Sequence, residues 1–253
     1  MASETEYLGL KLLGTSLQDK ETYFEEWRQM INGEIDDSNM NIIDAAYKEL
    51  SDAINDLKYE PIAIKTFSIT PQSAEKGSTV YSVTLNYTLN KVPATLRLGS
   101  DSLTPAASGT RTLSPVTITE NTSWTLTATD DGSASVNPQT ASKNVTLSFL
   151  NKVYWGAAND PGTIDSEFLL HLSGNALASA KAKTFNVNAA SGQYIWYAVP
   201  ASMGTVTFKV GGFDGGFEPA IRFAFTNASG HTENFDVYRS TNASLGQTTV
   251  VAS

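Results

Sequence analysis

The side chains that could carry acid–base or metal chemistry in this 253-residue chain are two His and 26 Asp plus Glu; there is no Cys. Without Cys there is no thiolate nucleophile, thiolate metal site or disulfide framework. His171 and His231 alone cannot build a multi-His zinc or iron site within one chain. His171 lies in Phe168-Leu-Leu-His-Leu172 and His231 in Ser229-Gly-His-Thr-Glu233, neither of them a nucleophile elbow or a metalloprotease helix. Gly211-Gly-Phe-Asp-Gly-Gly-Phe217 has no following Lys-Ser/Thr, so it does not read as a phosphate cradle but as a loop between two strands. Asp130-Asp131-Gly132 lacks the further oxygen ligands of a calcium loop, and Asp-Gly predicts a two-residue hairpin turn. Carboxylate pairs for glycoside cleavage need only be neighbours in space, yet no acid stands out. These residues predict a protein that is not an enzyme and uses no cofactor and no metal.

Aromatic side chains offer binding chemistry instead. Tyr and Trp stack on sugar rings or protein surfaces while keeping a polar handle. Candidates are Tyr154, Trp155, Tyr194, Trp196, Tyr197, Phe213 and Phe217. A sandwich core would claim many of these rings. Alternation along Tyr194–Val199 separates Tyr194, Trp196 and Ala198 from Ile195, Tyr197 and Val199, and one set is expected to be buried. Phe213 and Phe217, at a loop tip, are the stronger surface candidates, with Tyr154 and Trp155 beside them as receptor-binding residues.

The elements that position these residues fall into two compositional regions. Residues 1–60 hold 14 acids and 5 bases, whereas residues 61–253 hold 12 of each. A neutral body with an acidic end gives no basic footprint for nucleic acid. No apolar run approaches the ~20 residues of a membrane span, and Met1-Ala-Ser-Glu-Thr-Glu6 does not read as a secretory signal. Helical spacing places Tyr23, Phe24, Trp27 and Ile31 together, with Asn32-Gly33 as a stop. A second helix is predicted from about Ser38 to Lys58. Its stripe of Met40, Ile43, Tyr47, Leu50, Ile54 and Leu57 steps by alternating threes and fours, the spacing of a coiled-coil seam. An amphipathic helix packed on its own domain gives the same stripe. A segment this small buries little alone, which favours self-association.

From Pro61 the period changes to two. Val83, Leu85, Tyr87 and Leu89 alternate with Thr84, Asn86 and Thr88, and Trp124, Leu126 and Ala128 alternate with Thr125 and Thr127. About seven short strands in ~90 residues predict an immunoglobulin-like β-sandwich. Residues 151–253 repeat the pattern with more aromatics. The expected fold is mainly β: a helical segment over 1–60, an immunoglobulin-like sandwich over 61–150, and a second sandwich over 151–253 suited to adhesion.

Glu4–Ser16, Phe24-Glu-Glu-Trp-Arg-Gln-Met-Ile-Asn-Gly33 and Ile42-Ile-Asp-Ala-Ala46 resemble the start of small virion proteins of tailed bacteriophages. Ile64-Lys-Thr-Phe-Ser-Ile-Thr-Pro71, Glu75-Lys-Gly-Ser-Thr79 and Tyr87-Thr-Leu-Asn-Lys91 resemble the immunoglobulin-like module of phage tail and fibre proteins. Ser148–Gly156 and Phe208-Lys-Val-Gly-Gly-Phe213 are similar to the C-terminal domain that accompanies it. The resemblance implies a structural virion protein, a tail-fibre, neck or baseplate appendage assembled in the bacterial host cytoplasm. It also implies a homotrimer, held to other virion proteins through the N-terminal segment around Tyr23, Phe24, Trp27 and Ile31. Its distal domain would touch host-surface carbohydrate or a neighbouring virion protein, with no nucleic acid and no membrane insertion. The alternatives are a non-viral carbohydrate-binding or cell-surface adhesion module, and a cell-wall hydrolase carrying paired carboxylates in a cleft.

Overall fold

The computed structural model describes residues 37–253, with side chains from Asp44 onward. Tyr23, Phe24, Trp27 and Ile31 lie outside the described residues, as do the side chains of Met40 and Ile43. The described residues divide into two compact units: residues 37–61 with 131–139, and residues 62–130 with 140–253.

In the first unit, helix α1 (Asp37–Lys58) takes almost the range expected, with Lys58 in its last turn matched to the helix dipole. Near its C-terminus, Asp56 accepts hydrogen bonds from the Ser133 hydroxyl and the Ser135 N–H. These bonds, that from Ser133 foremost, hold the Asp56 carboxyl below its ordinary pKa. The segment 131–139 is therefore not the tight Asp-Gly hairpin the sequence predicted. Strand β7 ends at Thr129 and β8 starts at Thr140, leaving a long connection. Gly132 turns within it at φ 72°, where a side chain would run into the Val136 carbonyl.

The second unit is mainly β. It opens with β1 (Ile64–Thr70), β2 (Ser73–Glu75), β3 (Val83–Leu89), β4 (Thr95–Leu98), β5 (Asp101–Leu103), β6 (Ser108–Leu113), β7 (Thr122–Thr129) and β8 (Thr140–Ala158). One sheet has the order β1-β3-β6, and facing it are β8, β7, β4 and β5. Between them sits a core that includes Phe67, Val83, Leu85, Leu96, Leu126 and Leu147. Period-two burial is clean: β3 alternates buried Val83, Leu85, Tyr87 and Leu89 with Thr84, Asn86 and Thr88 on the outer face. The outer faces carry cross-strand hydroxyl pairs, among them Thr66 with Thr88 at 2.7 Å and Ser123 with Thr146 at 2.7 Å.

Strand β8 runs without interruption past residue 150. Its first half pairs with β7 and its second half with β9 (Gly174–Ala178) and β11 (Tyr194–Pro200). The remaining elements are α2 (Ser166–Leu170), β10 (Lys183–Ala189), a 3₁₀ turn at Ala201–Met203, β12 (Phe208–Val210), β13 (Phe213–Asp214), β14 (Ile221–Thr226), β15 (Thr232–Arg239) and β16 (Gly246–Ala252). The sheet β14-β15-β11-β8 faces the sheet β10-β16-β12-β13, enclosing Val153, Phe185, Tyr197, Phe208, Tyr238 and Val250. Its other face is buried as well, with Leu169 and Leu172, at α2 and just after it, packing with Tyr154, Trp196, Phe225 and Phe235. Asp165 caps α2 by accepting the Phe168 N–H at 2.8 Å. That second layer corrects the expected one-sided burial of Tyr194–Val199. Trp196 and Ala198 are as buried as Ile195, Tyr197 and Val199.

Candidate functional site

The rings singled out from sequence have separate fates. Tyr154 is 2% exposed, edge-on to Phe225 at 5.2 Å, and is therefore core and not a receptor contact. Alternation on β8 turns it toward the α2 layer. Its neighbour Trp155 is half-buried against Phe185, with Lys183 Nζ 4.5 Å from its ring. Phe213 is 81% exposed. The glycine segment that carries it is not a plain loop. Gly211 and Gly212, at φ 55° and 91°, form a two-residue turn between Val210 and Phe213, the geometry that suits a tight hairpin. Phe217 is half-buried, stacked on Phe208 at 3.9 Å.

Phe217 lines an open groove of about 960 Å³ in the C-terminal part of the chain. It lies where the two facing sheets present their end strands, β13 in one and β14 in the other. Phe208, Phe217 and Tyr238 supply its aromatic surface; Tyr238 meets Phe208 edge-on at 5.0 Å and its hydroxyl accepts the Val206 N–H. The polar groups come in opposite-charge pairs. Arg222, on β14, faces Asp236 across the β14–β15 ladder and binds it bidentately, Nε to Oδ1 at 2.7 Å and Nη2 to Oδ2 at 2.9 Å. Lys209 Nζ lies 3.3 Å from Asp214 Oδ1 across the β12–β13 hairpin. At one end Glu218 takes two hydrogen bonds from Arg239 Nη2, at 2.9 and 2.8 Å. Arg239 is itself held by Asp160 and stacks over Tyr194, 4.7 Å from the ring centroid.

A second polar cluster has a different character. Glu233 accepts from Asn151 at 2.8 Å, Lys76 at 3.0 Å and Ser202 at 3.0 Å, and His231 Nε2 stands 3.4 Å away. Burial disfavours the charged carboxylate, but these donors outweigh it and hold Glu233 at about 2. Lys152 pairs with Glu75 at 2.9 Å, and Asn227 donates to the Lys76 carbonyl at 2.8 Å. Tyr154 points its hydroxyl into the same place, where burial first and the Glu75 charge second raise its pKa. The cluster encloses no open cavity, and its two carboxylates, Glu75 and Glu233, are only 12% and 20% exposed. It joins residues 75–76, β8 and β15 around the point where β8 passes from one core to the next.

On α1, Tyr47, Leu50, Ile54 and Leu57 are exposed at 75%, 61%, 42% and 88%. Sequence reasoning found this stripe and Phe217, but missed Arg222, Asp236, Lys209 and Asp214. The signal for Arg222 with Asp236 was available only in the pairing of strands 221–226 and 232–239. Among the described residues, no group of three or more His, Asp or Glu is placed to hold a metal ion, and no helix is long and apolar enough to cross a membrane. No known family model matches the chain, and no curated protein sequence does either.

Proposed function

We propose that this chain is a structural virion protein of a tailed bacteriophage, a fibre-like appendage anchored and trimerised through its N-terminal helical segment. The observation that carries the reading is the apolar stripe of Tyr47, Leu50, Ile54 and Leu57 on α1, all four of them exposed. Burying a side chain of this size is worth roughly 1.5–3 kcal/mol. Three such stripes brought together supply contacts that a monomeric helix leaves unmade. Met40 and Ile43 extend the same spacing toward the N-terminus.

In this reading residues 61–150 are an immunoglobulin-like spacer. The orders β1-β3-β6 and β4-β7-β8 support that module, since its two sheets place their strands in the same sequence. Residues 151–253 are the distal domain, in contact with the host surface or a neighbouring virion protein. The groove and the exposed Phe213 support that role. The polar joint around Glu233 suits a rigid appendage, since it ties β15 to residues 75–76.

Particle incorporation tests the proposal. Virions assembled in a host expressing a tagged copy should carry it after gradient purification, and a copy of residues 61–253 should be left in the soluble fraction. Equal recovery of both in particles would remove the N-terminal anchor, and recovery of neither would remove the virion assignment.

A further inference from the structure

We infer that the groove between the β12–β13 hairpin and β14 binds a short neutral oligosaccharide, held by Phe217, Arg222 and Asp236. The inference rests on the reading of residues 151–253 as the host-contacting part and names the ligand class that part would take. At about 960 Å³ the groove lies at the upper end of the range of small-ligand sites.

The arrangement of charge selects the ligand. Lys209 is paired with Asp214 and Arg222 with Asp236, and Glu218 at one end is held by Arg239, so the charged side chains described along the groove sit in opposite-sign pairs, an arrangement that does not favour an ionic ligand. Guanidinium groups only donate and carboxylates only accept, whereas a sugar hydroxyl does both. A polyol can therefore bridge a paired Arg and Asp without separating them. Arg222 uses Nε and one Nη2 proton on Asp236 and keeps its remaining donors, and its side chain is 60% exposed while that of Asp236 is 7% exposed. The Asp236 carboxylate thus fixes the guanidinium plane at the groove wall with little rotamer freedom left to lose on binding. Phe217, backed by Phe208, gives a flat apolar surface for the C–H face of a pyranose ring. Three copies in one assembly would turn weak individual contacts into firm attachment through effective concentration.

The test uses the full chain on a panel of immobilised neutral oligosaccharides built from glucose, galactose, mannose, rhamnose and N-acetylglucosamine, with sulfated and phosphorylated glycans and short peptides as comparison probes. At least one neutral glycan should bind. Arg222→Lys, which keeps the charge and loses the fork, and Phe217→Ala should each weaken that binding about tenfold or more. Thr84→Ala, on the outer face of β3 and outside the groove lining, should leave it within about twofold. Unfolding curves separate lost binding from lost folding; where Phe217→Ala fails to fold, Arg222→Lys decides alone. The inference is overturned by binding to no neutral glycan, by binding confined to anionic glycans or peptides, or by neutral-glycan binding that Arg222→Lys leaves intact. Because particle incorporation is scored separately, a chain that binds glycan but never enters virions sinks the virion reading and spares the groove.

Discussion

Strands β3 and β11 have the same length, yet one alternates between buried and half-exposed residues along its whole course and the other is buried at six successive positions. The difference lies in what covers their sheets. The outer side of β1-β3-β6 faces water and is clothed in Thr, Ser and Asn, whereas the sheet containing β11 is packed on one side by β10-β16-β12 and on the other by the α2 layer. A two-layer body needs one apolar set per strand; a three-layer body needs two, and the excess aromatics of the C-terminal part fill the second. Rings that resemble binding residues by type are thereby drawn into the core, as Tyr154 and Trp196 are.

The comparison breaks most easily at the doubly covered sheet. Trp196→Ala should destabilise the protein by about 3–5 kcal/mol, because the ring is fully buried and its Nε1–H donates to the Ala158 carbonyl. Leu126→Ala in the first core should cost about 2–5 kcal/mol. Chemical denaturation gives both values, and a Trp196 variant that loses no more than about 1 kcal/mol would contradict the layered account.

The polar joint responds to pH. Glu233 titrates at about 2 in the folded chain against an ordinary 4.5, so its stabilisation is complete above about pH 4.5 and is lost as pH falls toward 2. With screening at this partly exposed site the contribution is on the order of 2 kcal/mol. Glu233→Gln should lower stability at pH 7 and flatten the acid limb between pH 4.5 and 2; a limb unchanged in slope would place the acid sensitivity elsewhere.

The smallest effect belongs to the hydroxyl-clad faces. Thr127 meets Ser142 at 3.1 Å on the outside of the sheet, and Thr127→Ala should shift stability by no more than about 0.5 kcal/mol. A loss several times larger would mean that this face is covered in the native assembly.

What could be read from the sequence follows from the range of the interactions. The stripe of α1 and the alternation of β3 and β7 are local patterns, and the helix and strands formed where periodicity placed them. Burial of Tyr194–Val199 on both faces was also encoded, since Tyr-Ile-Trp-Tyr-Ala-Val is a continuous apolar run, the signature of a strand covered on two sides. Alternation alone gave a different expectation because the covering residues, Leu169 and Leu172, come from a five-residue helix and its end. Asp-Gly at 131–132 misled for the reverse reason: a strong local turn signal was overridden by Ser133 and Ser135 bonding Asp56, far away in sequence. The groove's Arg222–Asp236 fork depends on strand register, which no spacing within 221–239 announces.

The most direct test of the central claim is the native mass of the full chain by multi-angle light scattering, with Leu50→Asp measured alongside. The account predicts about three times 27.2 kDa for the unaltered chain and a fall toward the monomer for the variant, whose charge would sit in the middle of the α1 stripe. A monomer in both samples, or a trimer that Leu50→Asp leaves whole, would contradict it.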